Sequence, residues 1–156
     1  MKVLKKSSTL SQDNVAFFEE ERDIMAFANN PWITSLQYAF QDNDSLFLVM
    51  DFHPGGDLLS LLAKYDDLFE EHIAKFYLGE MIMAMHAVHA LGYVHRDIKP
   101  ENVLIDRVGH VKLADFGSSA KLSSAKTVSI HIKEKEFSFH SKFVLTTLNT
   151  VTFITI

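Results

Sequence analysis

The stretch that decides the fold is His95-Arg96-Asp97-Ile98-Lys99-Pro100-Glu101-Asn102, followed along the chain by Asp115-Phe116-Gly117. The first motif places a carboxylate, a lysine and an amide close together, and the second places another carboxylate on a tight turn. This set of side chains points to chemistry on a hydroxyl group and on phosphates held with magnesium. A lone Asp-Phe-Gly is a common turn sequence, but the two motifs in this order and at this spacing are specific.

Composition sets the broad class of the protein. The chain has 156 residues, no cysteine and a formal net charge of −5, a length typical of one domain. The mild acidity argues against a general nucleic-acid binder, and the lack of cysteine excludes disulfides and thiolate zinc sites. We expect neither a signal peptide nor a membrane span, because the first ten residues hold lysines but no apolar run and no window holds eighteen apolar residues. A cytoplasmic protein is therefore predicted.

The first third of the chain predicts a small sheet with one helix. Residues 1–4 are typical of the end of a strand. Residues 11–29 show a helical apolar stripe with Ser11 as a plausible N-cap, and Asn29-Asn30-Pro31 ends that helix. Residues 33–40 and 46–52 are apolar and aromatic and flank a polar turn, which predicts a hairpin.

The middle of the chain predicts helices and a second, shorter hairpin. Pro54-Gly55-Gly56 is a break, and Asp57 is placed to cap a short helix over 58–64. Residues 70–91 predict a long helix that is apolar on several faces and is therefore expected to be buried, with Gly92 at its C′ position. Short strands are predicted at 103–105 and 111–113 around a turn at Gly109. The fold class is α+β, and no internal repeat is present.

Residues 1 to about 126 resemble the catalytic domain of an AGC-group serine/threonine protein kinase, in the branch of the citron, Rho-associated and myotonic dystrophy kinases. The resemblance rests on the two motifs above and on further runs, at residues 17–22, 36–42, 54–62 and 92–97. It implies a truncated protein-kinase-like fold, with a partial small-lobe antiparallel sheet and the helical start of the large lobe. It also implies ATP and Mg²⁺ as cofactors and a protein serine or threonine as substrate, with no nucleic-acid or membrane partner.

The resemblance also implies roles for single residues. Asp97 corresponds to the catalytic base that orients the substrate hydroxyl, and Lys99 to the lysine that neutralises the transferring phosphate. Asn102 and Asp115 correspond to the magnesium ligands. The family's strand lysine, which contacts the α- and β-phosphates, and its ion-pair partner on the first helix correspond to Lys2 and Glu21.

The remaining predicted site residues surround the adenine and the ribose. By resemblance, Met50 is the gatekeeper, residues 51–53 with Asp51 and His53 form the hinge, and Leu104 belongs to the nucleotide site. Asp57 would face the ribose or a basic substrate residue, or would act only as a helix cap. Four further residues match the stacked spine that couples the lobes: Met25, Leu36, His95 and Phe116. His86 and His89 lie three residues apart without a third metal ligand, and ordinary helix residues are the expected interpretation.

Three features of the family are not found in these 156 residues. The glycine-rich loop would precede Lys2, Ala-Pro-Glu would follow Pro100, the last proline, and the large-lobe anchor helix would follow Gly117, the last glycine. Residues 127–156 are expected to be an unrelated tail of alternative-exon or intron-derived origin. Two functions stay open: a serine/threonine protein kinase, or a catalytically inactive fragment with at most a binding role. Weak nucleotide binding is expected of the isolated chain, and its oligomeric state is not predicted.

Overall fold

The computed structural model describes residues 1–9 and 12–122, which form four α-helices and seven short strands. The predicted domain boundary near residue 126 and the predicted tail lie outside these residues, as does Ser11. The elements in chain order are β1 (Lys2–Lys5), α1 (Lys6–Thr9), α2 (Gln12–Phe27), β2 (Leu36–Gln41), β3 (Ser45–Met50), α3 (Leu58–Ala63), α4 (Glu71–Ala90), β4 (Tyr93–Val94), β5 (Val103–Ile105), β6 (Val111–Leu113) and β7 (Ala120–Lys121).

Strands β1, β3 and β2 form a three-stranded antiparallel sheet in that order, which confirms the predicted sheet and hairpin. The hairpin turn is held by Asp42, whose Oδ1 accepts hydrogen bonds from the backbone N–H groups of Asp44 and Ser45 at 2.8 and 2.7 Å. Such Asx bonding is the reason aspartate favours turns. Helix α2 packs against this sheet, as predicted, and ends at Phe27, two residues earlier than expected.

The lower part of the molecule begins with the short helix α3, which Asp57 caps as predicted. Asp57 Oδ1 accepts a hydrogen bond from Ser60 N–H at 2.7 Å and satisfies a donor that the helix itself leaves unpaired. Helix α4 follows and ends at Ala90, with Leu91 as its C-cap. Gly92 comes next, and its φ of 82° is the left-handed conformation expected at a C′ glycine.

The prediction that α4 is buried on several faces is wrong. Its buried residues are Glu80, Ala84, Ala87 and Val88, which occupy one side, whereas Phe76, Ile82 and Met83 are each more than 40% exposed. The other described elements cover only one face of this helix. Apolar composition alone predicted burial all round, but burial requires a partner for each face.

Strands β5 and β6 pair in a short antiparallel hairpin around a turn at Gly109, as predicted. Strands β4 and β7 form a second two-stranded pair. One buried apolar cluster joins both parts of the molecule: it includes Met25 of α2, Leu48 of β3, Val88 of α4, Leu113 of β6 and Phe116. The predicted α+β class is thereby confirmed. Among the described residues, no helix is both long and apolar enough to span a membrane.

Candidate active site

Lys2, Glu21 and Asp115 meet between β1, α2 and the turn after β6. The Lys2 ammonium donates to both Glu21 carboxylate oxygens, at 2.8 and 2.9 Å, and to Asp115 Oδ1 at 2.9 Å. The expected Lys2–Glu21 ion pair is therefore present. The contact between Lys2 and Asp115 joins residues 113 positions apart and was not part of the prediction.

Burial and charge act in opposite directions on the pKa values of this cluster. The Glu21 side chain is only 3% exposed, and burial raises its pKa although Lys2 opposes the shift. Burial alone would lower the pKa of Lys2, but its hydrogen bonds to two carboxylates hold that pKa above its usual value. At Asp115, likewise, partial burial is outweighed by the Lys2 hydrogen bond and charge, so its pKa lies below the usual range. Asp115 is thus ionised near neutral pH.

Asp97, Lys99 and Asn102 form a second cluster, on the loop between β4 and β5. Lys99 Nζ donates to Asp97 Oδ2 at 2.7 Å, and Asn102 Nδ2 donates to the same oxygen at 3.0 Å. Asn102 Nδ2 also donates to the Asp97 backbone carbonyl at 2.8 Å, which fixes the orientation of the amide. The Asp97 carboxylate therefore has one oxygen held by two donors, while Oδ1 accepts no bond from the described residues.

The backbone is strained next to both clusters. Arg96 and Asp115 have φ values of 67° and 58°, in the left-handed region that non-glycine residues rarely adopt. Such conformations cost about 1–3 kcal/mol and persist where the surroundings hold them. At Arg96 the guanidinium donates to the carbonyls of Ser118 and Ser119. At Asp115 the Lys2 bond and the buried Phe116 hold the turn.

A cavity of about 320 Å³ lies against the Lys2 cluster and reaches the second cluster only through Asn102, because Asp97 and Lys99 do not line it. Six of the predicted site residues line it: Lys2, Glu21, Met50, Asn102, Leu104 and Asp115. This volume lies at the lower end of the range for small-molecule sites, about 300–1,000 Å³. Glu101, which the sequence analysis did not select, also lines the cavity.

The structure does not bring the other predicted nucleotide residues to the cavity wall. Asp51 is exposed and accepts a hydrogen bond from Gln37 Nε2 at 2.7 Å. His53 Nε2 lies 3.3 Å from Thr34 Oγ1, and burial lowers its pKa. Both Asp57 oxygens bond to Ser60, the second through the hydroxyl at 2.9 Å. Capping is thus observed for Asp57, and its nucleotide role stays a prediction.

The residues of the two clusters fit a magnesium ion. Two groups could act as metal ligands. The Asp115 carboxylate is ionised and Lys2 contacts only its Oδ1. The Asn102 amide oxygen is available because the amide nitrogen is turned toward Asp97. Magnesium prefers oxygen ligands and takes few of them from the protein, the rest being phosphate oxygens and water. Consistent with this, the described residues hold no group of three His, Asp or Glu side chains suited to a metal, and His86 and His89 are simply exposed on α4.

The predicted spine residues pack as expected. The His95 ring lies 5.0 Å from the Phe116 ring, and Met25, Phe116 and the partly buried Leu36 belong to the same apolar cluster. His95 Nδ1 accepts from Asp97 N–H at 3.3 Å and Nε2 lies 3.0 Å from the Ala114 carbonyl. Burial lowers the pKa of His95, so the ring is neutral with its proton on Nε2.

Sequence reasoning missed one buried carboxylate beside β6, Glu80 of α4. Its side chain is 11% exposed and accepts a hydrogen bond from the backbone of β6. A glutamate inside the apolar run Leu78-Gly79-Glu80-Met81-Ile82 was the signal that could have revealed it, because charged residues are rarely buried without a partner.

Comparison with known proteins adds independent evidence. The family described as protein kinase domain matches residues 1–145. Citron Rho-interacting kinase of Homo sapiens is 54% identical over 149 residues, which are 96% of this chain and 7% of that protein. The rat protein of the same name is 60% identical over 126 residues, covering 81% and 6%. Serine/threonine-protein kinase MRCK alpha of Homo sapiens is 54% identical over 128 residues, covering 82% and 7%. The chain thus spans less than a tenth of these relatives.

Proposed function

Because this chain belongs to the protein kinase domain family, we propose that its two clusters form the ATP- and magnesium-binding site of a serine/threonine protein kinase. The resemblance inferred from the motifs is confirmed by the relatives, which are named as serine/threonine or Rho-interacting kinases. Kinases of this family use ATP and magnesium. One observation carries the proposal for this chain: Lys2, Glu21 and Asp115 line one cavity together with Asn102, and Asn102 is hydrogen-bonded to Asp97.

In this proposal the Lys2 cluster binds the nucleotide and the metal. Lys2, fixed by Glu21, offers a positive charge to the α- and β-phosphates, and Asp115 with Asn102 holds magnesium. The metal supplies charge neutralisation for the phosphates. Leu104 and Met50 provide apolar surface for the adenine. Asp51 and His53 act through the hinge backbone, and Asp57 is assigned to the ribose side of the site.

The Asp97 cluster acts on the substrate hydroxyl. Two donors hold Asp97 Oδ2, so Oδ1 is the oxygen that accepts the hydrogen bond of a serine or threonine hydroxyl and takes its proton. Lys99 lies 2.7 Å from the carboxylate and places a positive charge where negative charge gathers on the phosphoryl group. A protein substrate and a cytoplasmic location belong to the same proposal.

Titration calorimetry of the 156-residue chain with Mg-ATP tests the binding half of the proposal. Asp115→Asn removes the carboxylate charge and is expected to weaken Mg-ATP binding at least tenfold, while ATP measured without magnesium changes less. The control is Asp106→Asn, which removes a carboxylate of the β5–β6 turn, outside the cavity. Equal Mg-ATP affinities for Asp115→Asn and wild type would contradict the assigned metal site.

A second candidate function is a non-catalytic chain that binds a partner. The exposed apolar side of α4, with Phe76, Ile82 and Met83, favours it. We expect the isolated chain to transfer no phosphate to basic peptides above background. Phosphoryl transfer depends on the positioning of the reacting groups, and an error of about 1 Å costs roughly a hundredfold in rate. The glycine-rich loop and the Ala-Pro-Glu segment, which position these groups in the family, are not found in these 156 residues.

The measurement that separates the two functions is radiolabelled phosphate transfer by wild type and by Asp97→Asn. Transfer that is lost in Asp97→Asn would establish the kinase function for the 156-residue chain. Binding of Mg-ATP without transfer would favour the non-catalytic chain.

A further inference from the structure

The outer edge of β6, away from β5, contacts helix α4 and the loop between α2 and β2. Backbone N–H groups along a strand alternate in direction, so those of Val111 and Leu113 face the same edge. Leu113 N–H donates to the Trp32 carbonyl at 2.8 Å. Val111 N–H donates to the Glu80 carboxylate, through Oε2, at 2.8 Å. One end of this edge is therefore held by the loop after α2, and the other end by a side chain of α4.

Glu80 is an unusual residue for this position. Its side chain is 11% exposed, and it lies on the buried side of α4 with Ala84, Ala87 and Val88. Burying a carboxylate is unfavourable unless hydrogen bonds replace its water. Two bonds do so here: the one from Val111, and one between Oε1 and His110 Nδ1 at 2.6 Å. Val111 is fully buried in the structure, so its N–H has no water partner and relies on Glu80 as acceptor.

Strand β6 leads directly into the Lys2 cluster, which contains Asp115. The strand ends at Leu113, the next residue, Ala114, donates its N–H to the Asn102 carbonyl at 2.9 Å, and Asp115 follows. The hydrogen bonds of Val111, Leu113 and Ala114 thus fix the backbone position from which the Asp115 carboxylate projects. Because Asp115 follows the last residue of β6 by only two positions, a shift of the strand is expected to move its carboxylate.

We propose that Glu80 is a positioning residue for Asp115, acting through the Val111 N–H and strand β6. The proposal rests on the proposed function only for the metal that Asp115 would hold. The mechanical link from Glu80 to Asp115 is a property of the chain without any ligand. Glu80 does not touch the cavity and has no part in binding or in proton transfer.

The test is amide hydrogen exchange and amide chemical shifts in the ¹⁵N-labelled 156-residue chain without nucleotide. Glu80→Leu fills the volume but leaves Val111 without an acceptor. We expect exchange of the Val111 amide to become at least about tenfold faster, since a lost buried hydrogen bond has an effect of that order. The amide signals of Asp115 and Gly117 are expected to shift with it. Glu80→Gln keeps an oxygen acceptor and should restore Val111 exchange to within about threefold of wild type.

Matched controls separate the contacts. Glu71→Leu makes the same chemical change at an exposed position of the same helix and should leave Val111, Asp115 and Gly117 unchanged. His110→Leu removes the second partner of Glu80 and should affect Val111 less than Glu80→Leu does. Faster Val111 exchange in Glu80→Leu with unchanged Asp115 and Gly117 signals would overturn the proposal, because the bond would then be only local.

A second variant and a metal titration complete the test. If Glu80→Leu does not fold, Glu80→Gln decides: its weaker, uncharged acceptor should move the Val111, Asp115 and Gly117 signals together, and movement of Val111 alone overturns the proposal. Where Glu80→Leu does fold, titration with Mn²⁺ links the result to the metal, and Glu80→Leu is expected to bind Mn²⁺ several-fold more weakly than Glu71→Leu. Failure of the wild type to bind Mn²⁺ would count against the proposed function, whereas the amide signals decide the positioning role separately.

Discussion

Removal of the Lys2 ammonium tests the electrostatics of the site most directly. In Lys2→Met the stem of the side chain is kept and the charge is lost. Glu21 then keeps a carboxylate that is 3% exposed and has lost both of its ammonium contacts. Asp115 loses a contact too, but its side chain is about half exposed and water replaces the ammonium there. The cost of the substitution therefore falls mainly on Glu21.

The size of the effect follows from the exposure of the two partners. Breaking a fully buried ion pair costs about 3–5 kcal/mol, because one charge stays buried without compensation. Lys2 is 32% exposed, so water can reach the vacated side of Glu21 and reduce that cost. We expect Lys2→Met to lower the free energy of unfolding by about 2–3 kcal/mol. This is a large share of the roughly 5–15 kcal/mol of a typical domain.

Urea unfolding followed by the fluorescence of Trp32 measures this change, since Trp32 is the single tryptophan and is partly buried. The matched control is Lys75→Met, which breaks the pair with Glu71 on α4, where both side chains are more than 70% exposed. Exposed helix pairs of this kind contribute about 0.3–0.5 kcal/mol. Equal losses in Lys2→Met and Lys75→Met would refute the argument from burial.

The double variant and the pH dependence separate the causes. Lys2→Met with Glu21→Leu removes both charges, so it should recover most of the stability lost in Lys2→Met. Burial already raises the pKa of Glu21, and loss of Lys2 raises it further. A carboxyl group with a raised pKa costs stability when it is ionised and not when it is protonated. The stability lost in Lys2→Met should therefore shrink as the pH falls toward 4.5, the ordinary pKa of a glutamate. A deficit that is constant with pH would show that Glu21 is not its origin.

Two further predictions concern the fold around the site. A Cβ added at Gly55 would lie 2.6 Å from the Ile105 carbonyl oxygen, so Gly55→Ala should lower the urea midpoint and the free energy of unfolding by about 1–3 kcal/mol. Gly79 of α4 has open space around the added Cβ, so Gly79→Ala should instead raise the free energy of unfolding by about 0.5–1 kcal/mol. Equal effects of the two variants would contradict the close approach at Gly55. Burial lowers the pKa of His95, so stability should fall as the pH drops below its ordinary value of 6.5, where the unfolded chain takes up the proton first. His95→Gln should reduce that slope, measured by urea unfolding between pH 7.5 and 5.5, and an unchanged slope would assign it to other groups.

Much of the fold could be predicted because its signals are local. The apolar and aromatic runs 33–40 and 46–52 around a polar turn predicted the hairpin of β2 and β3, and the aspartate before residue 58 predicted the cap of α3. Helix α4 shows the limit of such reasoning. Its apolar residues predicted a helix correctly, but they did not show which of its faces the other elements would cover.

For the site, the sequence by itself determined which side chains are candidates: the two motifs contain Asp97, Lys99, Asn102 and Asp115, because side-chain type and short spacing are properties of the sequence. Only the tertiary structure decided which of these groups meet. It joined Lys2 to Asp115 across 113 positions, turned both Asp57 oxygens toward Ser60, and placed the buried Glu80 against β6. The physical reason is that local pattern sets backbone geometry, whereas contacts between distant residues depend on how complete elements pack and which polar groups that packing removes from water.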